Sequence, residues 1–68
     1  MKINSVSTGK AFVELTYREI CTISNALNEV CNGIHLEGEF DTRMGCSVDE
    51  ARRLLDSVSK LYESLVRR

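Results

Sequence analysis

The apolar positions of this chain fall into two long stripes at helical spacing and a shorter, looser stretch before them. In the first stripe Ile20, Ile23, Leu27, Val30, Cys31 and Ile34 recur every three or four residues, which gathers side chains on one face of an α-helix. It begins after Thr16-Tyr17-Arg18-Glu19, a capping box in which the Thr hydroxyl and the Glu carboxylate satisfy amides that have no partner at a helix start. Leu15 and Ile20 are placed to clasp across that start. Gly33, after Asn32, is the residue type that turns left-handed beyond a helix end. The pattern predicts a helix over 17–32.

The second stripe is Ala51, Leu54, Leu55, Val58, Leu61, Tyr62 and Leu65. Ser47-Val48-Asp49-Glu50 forms another capping box, with its acids in the first turn where the helix dipole favours them, and Arg67 and Arg68 lie at the opposite pole. The spacing predicts a helix over 48–66. With Val48 and Val66 included, its apolar arc is wider than that of the first helix and wider than one partner helix covers. The remaining cover must come from the N-terminal segment, the central connection or a second copy of the chain.

Before the helices, Ile3 and Val6, then Phe12, Val13 and Leu15, flank Thr8-Gly9. Residues 1–15 read as a short hairpin or as a single strand with a disordered tip. An isolated two-stranded hairpin is not stable, so it must lie on the helices or pair with another chain. The connection over 34–46 is longer than the roughly 2–8 residues usual between packed helices. Within it Phe40 and Met44 share one face of a short helical turn, with Asp41 as candidate cap and Gly45 as its stop. Such a connection carries function in some folds; as a simpler role, Phe40 plugs the end of the core. The expected fold is α+β, mostly α: an antiparallel two-helix hairpin with a short N-terminal β element, in a single domain over 1–68.

Length makes the second copy more pressing. A chain of 68 residues has room for one modest core and usually needs disulfides, a metal or self-association to supplement it. Three cysteines without a CxxC pair, and a single histidine, fit neither a disulfide framework nor a zinc site. Homodimerisation is the expected supplement. The net charge of −1, from nine Lys/Arg against ten Asp/Glu, supplies no long-range field for phosphates, so nucleic acid and membrane surfaces are not expected partners. No apolar run approaches the roughly 20 residues of a membrane helix, and Met1 to Ser7 has no apolar core of a signal peptide. Free cysteines fit a reducing compartment, and the expected location is cytoplasmic.

Candidate chemistry is sparse. His35, Glu37, Glu39 and Asp41 would share one side of an extended segment, but their spacing matches no metal motif and reads as a solvated acidic loop with Arg43 as internal partner. Cys46 precedes a helix start where a thiolate is favoured, yet no second histidine or oxyanion donor set accompanies it. Cys31 reads as a small apolar packer, and Cys21 carries no further signal. No acid, base and nucleophile converge, so neither enzyme activity nor a cofactor is expected. Asn25, Asn28 and Asn32 lie on one flank of the first helix, where asparagine is a poor helix former but an adaptable hydrogen-bonding group. With Tyr17 and Glu29 they form a candidate partner-facing surface, beside the simpler reading of plain solvent exposure. Leu54 and Leu61 join it as members of the surplus arc on the second helix. Thr42 to Ser47 followed by Glu50-Ala51-Arg52-Arg53 echoes a DNA-reading helix-turn-helix, but the connection is longer than that motif allows. Arg52 and Arg53 are also spaced to pair with Asp49 and Asp56 along the helix.

Leu15-Thr16, Glu19, Asn25-Ala26-Leu27-Asn28-Glu29-Val30-Cys31-Asn32-Gly33, then Glu39-Phe40-Asp41-Thr42-Arg43-Met44-Gly45 and Glu50-Ala51, make the chain resemble small bacterial proteins of unassigned function. Some such proteins are immunity proteins for toxins used in interbacterial competition, and the resemblance implies that class as one candidate. The sequence therefore leads to a small protein-binding module, with an immunity-type or antitoxin-type inhibitor as its narrower form. The alternatives are a DNA-associated regulator using Arg43, Arg52 and Arg53, or an assembly subunit whose role is self-association.

Overall fold

The N-terminal segment is a hairpin, not a single strand. The computed structural model describes residues 1–33 and 38–66; β1 (Lys2–Ser7) turns at Thr8-Gly9 and pairs antiparallel with β2 (Lys10–Glu14). Ile3 lies opposite Val13 and Val6 opposite Ala11, and alternation places these pairs on one face of the ribbon. Lys2–Glu14, Ser5–Phe12 and Ser7–Lys10 take the other face. The register shifts between Ile3 and Ser5, leaving Asn4 as an extra residue whose amide donates to Glu14 Oε1 at 3.3 Å.

The expected capping box starts α1 (Tyr17–Asn28): the Glu19 amide donates to Thr16 Oγ1 at 3.2 Å and the Thr16 amide to Glu19 Oε1 at 2.9 Å. Its far end differs from the expectation. The α-helix stops at Asn28 and widens into a π-helical turn over Glu29–Gly33. Gly33 belongs to that turn and is absent from the glycines with positive φ, so it is not a left-handed terminator. A Cβ at Gly33 would stand 2.6 Å from Glu29 Oε2, so glycine leaves the room in which the Glu29 carboxylate sits. The Asn32 amide donates to Asn28 Oδ1 at 3.0 Å across the same turn. The neighbours Val30 and Cys31 are both half-buried in this turn.

A short helix, α2 (Phe40–Met44), interrupts the connection. Phe40 and Met44 are half-buried on it, and Gly45 stops it in the left-handed conformation, φ 74°, its amide donating to the Asp41 carbonyl at 2.8 Å. Asp41 is not the cap: Glu39 holds that position without a side-chain cap bond and lies 3.9 Å from Arg43. The final helix, α3 (Val48–Val66), opens with its capping box complete, Glu50 amide to Ser47 Oγ at 3.1 Å and Ser47 amide to Glu50 Oε1 at 3.2 Å.

The described architecture is thus a mostly helical α+β chain with three α-helices rather than a bare helix pair. The main contact between helices is α1 on α3. Tyr17, in the first turn of α1, stacks on Tyr62, near the end of α3, so the two run in opposite directions. Between them only Ile20, 3 % exposed, and Ala51, 1 % exposed, are buried among the described residues. No described helix is long and apolar enough to cross a membrane. The molecule measures 37 × 32 × 16 Å, a slab. Its radius of gyration of 13.5 Å exceeds the roughly 11 Å of a compact domain of this length.

Candidate interaction surface

The surface follows from two stripes that overlap on α3. Ala51, Leu54, Val58, Leu61 and Leu65 are spaced alternately by three and four residues, the rhythm of a coiled-coil seam. Ala51, Leu55, Val58 and Tyr62 turn toward α1 and are buried or half-buried. One α-helix covers no more of the arc than that. Leu54 stays 54 % exposed and Leu61 46 %, and Leu65 is open beside them. At about 100° per residue these three leucines lie on a single flank of α3, to one side of its contact with α1.

On α1, Ile23 is exposed at the corresponding offset from the buried Ile20. Because the helices are antiparallel, equal offsets of the same sign lie on the same side of the pair. Ile23, Leu54, Leu61 and Leu65 therefore form one apolar side of the helical layer, with the half-buried Leu27 and Val58 between them. Small residues border it: Ala26 on α1, Ser57 and Ser64 on α3. Both serine hydroxyls donate back into their own helix, Ser57 to the Arg53 carbonyl at 3.2 Å and Ser64 to the Lys60 carbonyl at 3.0 Å. The hairpin adjoins the same side at its base, where Met1, Leu15 and Ile23 line an open groove with Thr22 and Glu19. Its own apolar pairs, Ile3–Val13 and Val6–Ala11, are uncovered, Val6 by 71 %.

The asparagine flank falls on the opposite side. Asn25, Asn28 and Asn32 are exposed there, and their amides are engaged within α1 and its wide turn: Asn25 donates to Cys21 Sγ at 3.7 Å and Asn32 to Asn28. Tyr17 leans across to Tyr62, with ring centroids 5.3 Å apart and hydroxyls 3.0 Å apart. Glu29 packs its carboxylate over Gly33. The structure thus separates the seven residues singled out from sequence: Tyr17, Asn25, Asn28 and Asn32 border the polar side, Glu29 belongs to the wide turn, and Leu54 and Leu61 stand on the apolar side. Ile23, Leu65 and the hairpin pairs join those two leucines. Their signal in the sequence was the excess of apolar positions over what one helix contact absorbs.

Electrostatics at the surface is local. The Met1 ammonium pairs with Glu19; that charge, with the Thr16 amide, holds the Glu19 carboxyl at about 2, down from 4.5. The Ser47 amide lowers Glu50 in the same sense. The hydrogen bond with Tyr17 raises the Tyr62 phenol. Asp56 pairs with Lys60 at 3.0 Å rather than with Arg52 or Arg53, because Lys60 lies one turn further along α3 and reaches back to it. Arg52 and Arg53, as successive helical residues, diverge by about 100°.

Among the described residues no three His, Cys, Asp or Glu side chains are grouped to hold a metal ion. His35 and Glu37 of the acidic loop lie outside the described residues, as do Ile34, Arg67 and Arg68. Cys21, Cys31 and Cys46 are free and half-buried. Comparison with protein-family models, with curated proteins and with solved structures finds no match. What the chain does must be read from its own residues.

Proposed function

We propose that this chain is a small, non-catalytic protein-binding module that presents one side of the α1–α3 helical hairpin to another protein chain, with α2 as an insert in the connection. One observation carries the reading: Leu54 and Leu61 stand open on the same side as Ile23, in a patch whose interior positions are also apolar. Contiguous exposed apolar surface on a small protein marks an interaction site, and leucines at seam spacing suit a helix or a helical pair as partner. Near-neutral charge, −1 overall, leaves apolar contact as the main source of affinity. The free thiols fit a reducing compartment, and a cytoplasmic location belongs to the same proposal.

The test is capture of binding proteins from bacterial lysate by the wild-type chain and by a Leu54→Asp/Leu61→Asp variant at micromolar bait. A specific protein, or the chain itself, held by the wild type and released by the variant supports the module. Retention of nothing overturns it. The inhibitor form, carried by the resemblance to small bacterial proteins, adds that a toxin gene adjoins this one; an intact operon without a toxin removes that form alone.

A further inference from the structure

We infer that the occupant of the apolar side is a second copy of this chain, packed face to face so that two single layers become one two-layered domain. The inference rests on the module reading and names its partner. Domains are built from at least two packed layers around a shared core, and this chain supplies one layer, 16 Å across its shortest dimension. Its accessible surface of 5595 Å² compares with about 4,300 Å² for a compact monomer of 7.7 kDa by the usual scaling. The surplus, about 1,300 Å² per chain, exceeds the roughly 800 Å² per partner of a standard interface and falls in the range of obligate homodimers.

The thinness of the core identifies the partner. With Ile20 and Ala51 alone buried among the described residues, the chain lacks the interior that a domain of this size needs for independent stability. Its partner must be present whenever the chain is, and another copy meets that condition. The chemistry of the side permits it. A patch made of Ile23, Leu54, Leu61 and Leu65 is self-complementary, because apolar contact is non-directional and sets no like charge against like. The bordering Ala26, Ser57 and Ser64 allow close approach, and the two serine hydroxyls, already bonded to their own helix, lose little on leaving water. A two-fold axis across this side closes the assembly at two copies.

Sedimentation equilibrium of the full chain, from nanomolar to high micromolar concentration, reads the assembly directly. The expected result is twice the chain mass at micromolar concentration, with a thermal midpoint that rises with concentration. Leu54→Asp/Leu61→Asp is expected to weaken association about a hundredfold or more, whereas Asn25→Asp, on the opposite side, leaves it unchanged. Should the leucine variant be unfolded, isotope-filtered nuclear Overhauser contacts between labelled and unlabelled wild-type copies identify the face. Cross-copy contacts at the Ile23, Leu54, Leu61 and Leu65 methyls are expected; contacts centred on Asn25 and Asn28 overturn the assignment. A single-chain mass at high micromolar concentration, with a midpoint independent of concentration, overturns the second copy. If that monomer still captures a different protein through the leucines, the module reading stands without the dimer. If it captures nothing, both fall.

Discussion

Tyr17 and Tyr62 tie the beginning of α1 to the last turns of α3: their rings are stacked 28° from parallel and their hydroxyls share a hydrogen bond of 3.0 Å. The bond raises the Tyr62 phenol above its ordinary value of 10.0, because ionisation would remove the hydroxyl proton that Tyr62 brings to its hydrogen bond with Tyr17. Tyr62 is thus more readily kept neutral in the folded chain than in the unfolded one. Its contribution to stability is present below pH 10 and is lost as the pH rises through the raised value. Tyr17→Phe leaves Tyr62 as the sole tyrosine and is expected to remove the late limb of the tyrosinate absorbance titration. A late limb that persists in the variant would contradict the coupling.

The Met1 ammonium beside Glu19 and the two capping boxes set a response to acid in the opposite sense. Glu19 titrates at about 2 in the folded chain against an ordinary 4.5, and Glu50 is lowered as well. Both carboxylates therefore contribute stability that is present above pH 4.5 and fades as the pH falls through their lowered values. Thermal melts followed by helical circular dichroism should show the midpoint falling steadily with acidification below that pH. Glu19→Gln and Glu50→Gln should flatten the dependence, and an equal slope in the double variant would refute this origin.

Two glycines separate by sign. Gly45→Ala places a side chain at φ 74° and is expected to cost about 1 kcal/mol. Gly33 does not have a positive φ, and the described atoms nearest to an added Cβ belong to the end of the flexible Glu29 side chain. Gly33→Ala is therefore expected to be neutral or stabilising by up to about 1 kcal/mol. Denaturant unfolding of the two variants beside the wild type decides it, and a reversed order would show that the wide turn requires glycine.

Ile20 is the one large side chain buried among the described residues. Ile20→Ala is expected to cost about 2–5 kcal/mol, much of the roughly 5–15 kcal/mol available to a domain, and to leave a largely unfolded circular dichroism spectrum at room temperature. Ala51→Leu, at a position 1 % exposed, overpacks the same contact at about 1–3 kcal/mol. A full-strength cooperative transition in Ile20→Ala would place the stabilising contacts elsewhere.

What sequence reading recovers here is local. Both capping boxes, the start of α3, the stop at Gly45 and the pairing of Phe40 with Met44 on one face follow from neighbours within one helical turn. The surplus apolar arc on α3 was equally legible, since it depends only on periodicity. The π-helical turn at Glu29–Gly33 was not, because a terminal Asn-Gly reads identically whether the helix stops or widens. Nor was the side on which the asparagines fall: a wheel orders residues around one helix, and only the partner helix converts that order into two sides. Asp56 pairs with Lys60, one turn further along, instead of with the arginines one turn back, a choice set by the direction of the pair along the helix and not by spacing alone.

The extra residue in β1 has a consequence for how the chain behaves in a crowded solution. A two-stranded ribbon with one apolar face offers rows of unpaired amides and carbonyls along both margins, a template on which further copies could stack without limit. Asn4 breaks the regular repeat of that template midway along β1, twisting the ribbon so that an incoming straight strand meets partners for only part of its length. Lys2 and Lys10 add charge near the strand ends. An irregularity of this kind opposes the regular strand-on-strand stacking that fibril growth requires, even though the ribbon's apolar face is uncovered.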